Sequence, residues 1–217
     1  TRDLIPKDSW GALNELHGLI ERQSFASFDR SSRIRLLKQV ISSCRLWHGC
    51  LMASQARDLG WLFLRLGDRL EHADMVSRLV DPRVTQMVPG VSTRWTSYEA
   101  IGWQNLLSAL GGVELYRHSA RNRMRGSDVL DFVLRDTKFP QSMASALDRA
   151  VQLLGDLPHQ RVSPDLIKGI IGGLEKLDLE RLTPDLLTEN MDWIQQGLVT
   201  SHEHISSEYF FFQSNAS

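Results

Sequence analysis

The side chains whose types and spacing could support chemistry are concentrated between residues 61 and 81. In a helix, Gly67, Glu71, Asp74 and Arg78 lie within one sector of about 100°, so their side chains are neighbours. Two carboxylates beside a guanidinium could act as a general acid–base pair with a clamp for an anion. These four residues, which we call the candidate stripe, are therefore the first candidate for a functional site.

Three interpretations of the candidate stripe remain open. Acid–base pairs at this spacing often form a solvated face, worth about 0.3–0.5 kcal/mol per pair. They can also form a buried polar network between helices, in which Arg78 keeps the carboxylates charged. The third interpretation is a binding or catalytic site. Gly67 costs up to ~1 kcal/mol of helix propensity relative to Ala, which suggests that another backbone or a ligand comes close there.

Other patterns in the chain do not predict a metal or cofactor site. His202 and His204 point about 200° apart on a helix, so they cannot bind the same ion. The glycines of 169–173 follow no strand and lack the Gly-Lys-Ser/Thr ending of a phosphate loop, which favours close helix packing. Gly111 and Gly112 are interpreted in the same way. Because no nucleophile motif occurs either, no catalytic residue is assigned.

The composition of the chain argues against nucleic acid and membranes as binding partners. The 217-residue chain is 42% hydrophobic and 24% charged, with a net charge of −1, so it lacks the cationic surplus of a nucleic-acid-binding protein. No apolar run reaches the ~20 residues of a membrane-spanning helix, so no membrane association is predicted. Cys44 and Cys50 diverge by about 120° on one helix and are predicted to be packed free thiols. This cysteine usage fits a cytoplasmic protein.

Helical periodicity dominates the chain, and we predict an all-α bundle of about seven or eight helices in a single domain, 1–217. The Pro- and Gly-rich segment 82–93 is predicted to be a loop. At Ser163 and Thr183, a cap, a following proline and an Asp predict helix starts. The predicted helices are 7–23, 31–53, 55–80, 95–122, 127–135, one from the Phe139–Ser142 turn to Leu157, one from Ser163 through Leu174, and one from Thr183 past Tyr209.

Several segments together resemble the Alpha-E domain family, a bacterial all-helical group named after a Glu-Arg motif. The resemblance begins with Trp61, the glycine six residues later, and the LE-x-AD-x-x-x-R-x-x-D run that ends at Asp81. Residues 10–14 (WGALN) resemble the family's Trp-x-x-Leu-Asn start, and residues 103–116 resemble a later helix. Phe139-Pro140-Gln141-Ser142 is similar to the family's Phe-Pro-Arg-Ser turn. The resemblance adds Trp61, Asp81 and Ser142 as secondary candidate residues.

The chain departs from the family pattern at two cations. The Glu-Arg dipeptide is here Glu71-His72, and the arginine of the Phe-Pro-Arg-Ser turn is here Gln141. Full-length members also carry an N-terminal segment with a similar Trp-Gly-Arg-Glu-Arg helix. We expect this chain to begin after that segment, as a piece of a longer protein.

The resemblance implies a function by association. Such domains occur beside or fused to ATP-grasp-type peptide ligases and transglutaminase-like proteins, in systems that build or modify small peptides. We therefore predict a helical accessory or partner domain of an ATP-grasp-type ligase (amidoligase), without activity of its own. The alternative is an enzyme that uses Glu71, Asp74 and Arg78 as an acid–base site. The partner role is favoured because a chain without a nucleophile motif, metal set or phosphate loop needs its chemistry from outside.

Overall fold

The protein is α-helical in the part of the chain that the structure, a computed structural model, describes. That part comprises residues 5–22, 29–81, 99–119 and 124–210. It contains no β-strand, and the all-α prediction is confirmed. The helices are α1 (Lys7–Glu21), α2 (Arg30–Ser54), α3 (Leu59–Val80), α4 (Glu99–Ala109), α5 (Val113–His118), α6 (Gly126–Arg135), α7 (Met143–Asp156), α8 (Asp165–Lys176) and α9 (Pro184–Tyr209), with a 3₁₀ turn at Pro158–Gln160.

The chain divides into two compact units, Thr1–Trp61 and Leu62–Ser217. In the first unit α1 packs against α2, and Ala12 and Leu51 are buried. Asp29 starts α2, because its side chain accepts a hydrogen bond of 2.8 Å from the Ser32 N–H and satisfies an orphan amide. Hydrogen bonds from the Ser32 side chain, the Ser32 N–H and the Ser31 hydroxyl, in that order of importance, lower the pKa of Asp29 to about 2. This division reflects only how compact each segment is. That residues 1–217 form a single domain stays a prediction.

The second unit has a continuous hydrophobic core. Helices α6 and α7 pack on each other, α7 packs on α8, α8 on α9, and α6 on α4. Both α6 and α7 place apolar residues at helical spacing, so each presents one continuous apolar face to its neighbours. An aromatic group lies at the centre, where Phe132 stacks on Phe139 at 4.5 Å between ring centroids and meets Tyr116 edge-on at 5.3 Å.

Helix starts follow the chemistry expected from the sequence, with one difference. Thr183 caps α9, accepting from the Leu186 N–H at 3.3 Å, and Pro184 occupies the first turn. At Ser163 the hydroxyl accepts from the Asp165 N–H at 3.3 Å, but the residue that precedes α8 is Pro164, which has no capping side chain.

One predicted helix is wrong as a single element. The prediction of 95–122 corresponds to α4 and α5, and its two ends lie outside the described residues, as does the predicted loop at 82–93. Gly111 separates the two helices because it has a φ of 65°, a left-handed conformation that glycine adopts without a steric penalty. The packing role predicted for Gly111 is therefore wrong, whereas Gly112 does pack closely, since a Cβ there would lie 2.8 Å from Phe139 Cζ.

Two smaller differences concern glycines and cysteines. Of the glycines in 169–173, only Gly173 is in close contact, because a Cβ there would lie 2.5 Å from the Trp193 ring. The other two, Gly169 and Gly172, have no such neighbour within 4 Å. Both cysteines are free, but Cys44 is exposed, so the prediction of two packed thiols is wrong for that residue.

Candidate functional site

Helix α3 carries the candidate stripe, and its position follows from the opposite, apolar side of the helix. Leu66, Leu70, Ala73, Val76 and Val80 are all at most 7% exposed and belong to the core of the second unit. These residues recur every three or four positions, so they occupy one side of a helix with 3.6 residues per turn. The candidate stripe lies about 130° away around the helix axis and faces outward.

The candidate stripe is open to solvent in the structure. Gly67, Glu71 and Arg78 are exposed, and Asp74 is half-buried. A Cβ at Gly67 would have no heavy atom within 4 Å, so no described part of the chain makes the close approach that the sequence suggested. Leu64 and Met75 border one edge of the stripe and are also exposed, with Met75 at 44%.

Asp74 and Arg78 form a bidentate ion pair one turn apart. Arg78 Nε donates to Asp74 Oδ2 at 2.7 Å, and Arg78 Nη2 donates to Asp74 Oδ1 at 3.1 Å. The hydrogen bond from Arg78 and the charge of Asp74 raise the pKa of Arg78, with a further contribution from Glu71. Because both carboxylate oxygens of Asp74 already accept from Arg78, this arrangement is a neutralised pair rather than a free acid–base group.

A second charged group on α3 was not identified from the sequence. Asp68 Oδ2 accepts from Arg65 Nη1 at 2.8 Å and from Arg69 Nη2 at 2.7 Å, and the Arg69 side chain is only 14% exposed. The spacing of Arg65, Asp68 and Arg69 already places them on one side of a helix. Their residue types and spacing could therefore have identified this charged group from the sequence. The structure adds that both arginine side chains are largely buried.

The two positions that depart from the family pattern lie next to each other. His72 is 8% exposed, and its Nε2 donates to the backbone carbonyl of Gln141 at 3.0 Å. Burial lowers the pKa of His72 below its ordinary value, the charge of Arg69 acts in the same direction, and the bond to Gln141 opposes both. A neutral imidazole therefore joins α3 to the turn that precedes α7.

That turn is held in a defined conformation by Ser142, a secondary candidate residue. Its hydroxyl donates to the Asp136 carbonyl at 2.7 Å and accepts from the Ser145 N–H at 3.1 Å, so it both closes the turn and caps α7. Ser142 is fully buried. Its observed contacts are structural, and a role in chemistry stays a prediction.

The remaining secondary candidates are Asp81 and Trp61, and each has its own contacts. Asp81 is buried and accepts from the Thr188 hydroxyl of α9 at 3.3 Å. In the first unit, the Arg57 guanidinium lies 3.7 Å over the Trp61 ring, and Asp58 accepts from the Trp61 N–H at 3.0 Å. The latter contact explains why α3 begins at Leu59 rather than at the predicted residue 55.

The end of α9 and the histidines near it have ordinary structural surroundings. Tyr209 and Phe210 lie edge-on against Phe63, at 5.1 and 4.9 Å between ring centroids, and the Tyr209 hydroxyl donates to the Pro158 carbonyl. His202 and His204 are exposed on α9. Among the described residues, no three His, Cys, Asp or Glu side chains are grouped to hold a metal ion. None of the described helices has both the length and the apolar character of a membrane span.

Comparison with known proteins identifies the family. A family model described as "a predicted alpha-helical domain with a conserved ER motif", Alpha-E, matches residues 1–210. No curated protein and no solved structure gives a significant match. The match extends over nearly the whole chain and agrees with the helical architecture described above. The chain therefore belongs to the Alpha-E family.

Proposed function

We propose that this chain is a helical partner domain of an ATP-grasp-type peptide ligase and that it has no catalytic activity of its own. The observation that carries the proposal is the open candidate stripe on α3. Gly67, Glu71 and Arg78 are exposed there, and the exposed apolar side chains of Leu64 and Met75 border one edge of the stripe. The choice of a ligase follows from the family resemblance, which also names transglutaminase-like proteins as an alternative partner.

The composition of this surface suits a protein contact. Residues 64–78 extend for about 21 Å along the helix axis, a length that one partner element can cover. Met and Arg are enriched at protein interfaces, and a partner side chain can fill the space that Gly67 leaves between its larger neighbours. The charged groups around the apolar ones would orient the partner and accelerate its association.

The enzyme alternative has less support from the geometry. A general acid or base acts best when it is held beside the substrate and shielded from water. Glu71 is exposed, and both oxygens of Asp74 are engaged by Arg78. If the candidate stripe is nevertheless catalytic, Glu71→Gln should abolish turnover without lowering the melting temperature.

The experiment measures ATP turnover and peptide product by an ATP-grasp protein from the same operon, with and without this chain, over a panel of amino acids and peptides. The proposal expects turnover or product to increase only when both proteins are present. It expects Met75→Glu to remove this increase, because the substitution places a charge in the apolar part of the contact.

The matched control is Leu166→Glu, since Leu166 on α8 is exposed to a similar degree, 40% against 44% for Met75. This variant should stimulate the ligase as the unaltered chain does. Equal loss in both variants, or no complex between the two proteins by analytical ultracentrifugation, contradicts the partner role. Turnover by the chain alone that is lost in Glu71→Gln supports the enzyme alternative instead.

A further inference from the structure

Helix α2 has an exposed apolar face. Ile34, Leu37 and Ile41 are 45%, 60% and 49% exposed, and Cys44 continues the same line. Their spacing of three, four and three residues is that of the a and d positions of a coiled coil. We call these four residues the α2 seam.

The α2 seam is distinct from the more buried side of the helix. The half-buried residues Leu36, Val40 and Trp47, together with buried Leu51, form a second line at helical spacing. The two lines are about 90° apart around the helix axis. Burial on α2 is therefore concentrated on the second line, and the α2 seam stays exposed.

The charge on α2 indicates what would cover the seam. The helix contains five cations, four Arg and one Lys, and no acidic residue, although the whole chain has a net charge of −1. Arg33 lies on one side of the seam, and Lys38 and Arg45 lie on the other, at the positions that flank a coiled-coil interface. None of these three makes an ion pair with a described residue.

We propose that the α2 seam is the docking site for an acidic amphipathic helix of a partner protein. A partner with apolar residues on one face and Glu or Asp beside them would pack on Ile34, Leu37 and Ile41 and pair with the flanking cations. A second copy of this chain is a poor occupant, because pairing two α2 helices places like charges against each other. This inference does not depend on what binds the candidate stripe of α3.

The test uses a synthetic four-heptad peptide with Ile and Leu at a and d and Glu at e and g, labelled with fluorescein, and a twin with Lys in place of Glu. Fluorescence anisotropy with the full chain should show binding of the acidic peptide that weakens as NaCl is raised from 50 to 500 mM. Binding of the Lys twin should be at least tenfold weaker. Equal binding of both peptides, or of neither, overturns the proposal.

Two variants locate the contact. Leu37→Glu should weaken binding of the acidic peptide at least tenfold, because it puts a like charge into the apolar line. Leu166→Glu, the control in the second unit, should leave binding unchanged. The triple variant Arg33→Glu, Lys38→Glu and Arg45→Glu should reverse the preference between the two peptides. An unchanged preference refutes the docking site even if Leu37→Glu fails to fold, and circular dichroism melts check folding of each variant.

Two further measurements distinguish other occupants. The first is cosedimentation of the chain with phosphatidylglycerol vesicles. If the chain binds the vesicles, Leu37→Glu abolishes this binding and the acidic peptide does not bind, the α2 seam contacts a membrane surface and the proposal is overturned. The second is sedimentation velocity. If the chain dimerises with increasing concentration and Leu37→Glu abolishes the dimer, the α2 seam binds a second copy of the chain and the proposal is likewise overturned.

Discussion

Replacing Gly67 or Gly112 by alanine adds the same methyl group at two very different places. Gly67 lies on the exposed side of helix α3, and a Cβ there would have no heavy atom within 4 Å. Gly112 lies next to the aromatic group of the second unit, where a Cβ would be 2.8 Å from Phe139 Cζ and 3.2 Å from Phe132 Cε1. The structure therefore predicts opposite changes in the free energy of unfolding.

The expected magnitudes follow from these surroundings. Gly67→Ala should stabilise the protein by about 0.5–1 kcal/mol, because alanine loses less backbone entropy in a helix and meets no neighbour. Gly112→Ala should destabilise it by about 1–3 kcal/mol, because Phe132 and Phe139 are at most 2% exposed and cannot move into solvent. The φ of −94° at Gly112 is accessible to alanine, so the penalty is steric.

Thermal melts followed by circular dichroism at 222 nm measure both variants. For a chain of this size, 1 kcal/mol corresponds to roughly 2–4 °C, so Tm should rise by about 1–4 °C for Gly67→Ala and fall by about 2–12 °C for Gly112→Ala. A decrease in Tm for Gly67→Ala would refute the open position of this residue and would support the close approach that the sequence suggests. An unchanged Tm for Gly112→Ala would refute the tight aromatic packing.

Further predictions concern ionisable groups of the second unit. Burial lowers the pKa of His72 below 6.5, so the folded state resists protonation of this residue. The free energy of unfolding should therefore decrease as the pH falls from 6.5 towards the folded pKa, by at most about 1.4 kcal/mol per pH unit. Thermal melts from pH 7.5 to 5 should show this dependence on pH, and His72→Gln should reduce it. Burial, with the charge of Glu175, raises the pKa of Asp148, so Asp148→Asn should raise Tm at pH 7. The gain should disappear well below pH 3.8, where the carboxyl is protonated in both the folded and the unfolded state. Arg135 donates hydrogen bonds to the Leu174 carbonyl at 2.7 Å and to the Leu177 carbonyl. Arg135→Met should therefore lower the free energy of unfolding, measured in urea, by about 1–3 kcal/mol. A smaller loss would mean that solvent replaces these hydrogen bonds.

Local features of the fold were predictable because they depend on neighbouring residues. Periodic apolar residues predict α3, α7 and α9, and Thr183 with Pro184 predicts the start of α9. The break at Gly111 was not predicted, because a glycine within a helical pattern is compatible both with continued helix and with a left-handed turn.

The candidate stripe likewise has one property that the sequence predicts and one that it does not. Spacing alone places Gly67, Glu71, Asp74 and Arg78 on one side of α3, since a helix repeats every 3.6 residues. Whether that side is buried depends on which other helices pack against it, and the structure leaves it open. Its functional role stays a prediction that the ligase assay tests.

The sequence by itself determined the helical class, most helix positions and the family, because these follow from local periodicity, capping and motif spacing. Tertiary structure decided which residues meet across long separations. His72 bonds to Gln141 across 69 positions, and Asp81 bonds to Thr188 across 107. Such pairs have no signature in a single sequence, because either partner could equally be solvated. Packing of the core brings them together, and burial then requires each polar group to find a partner.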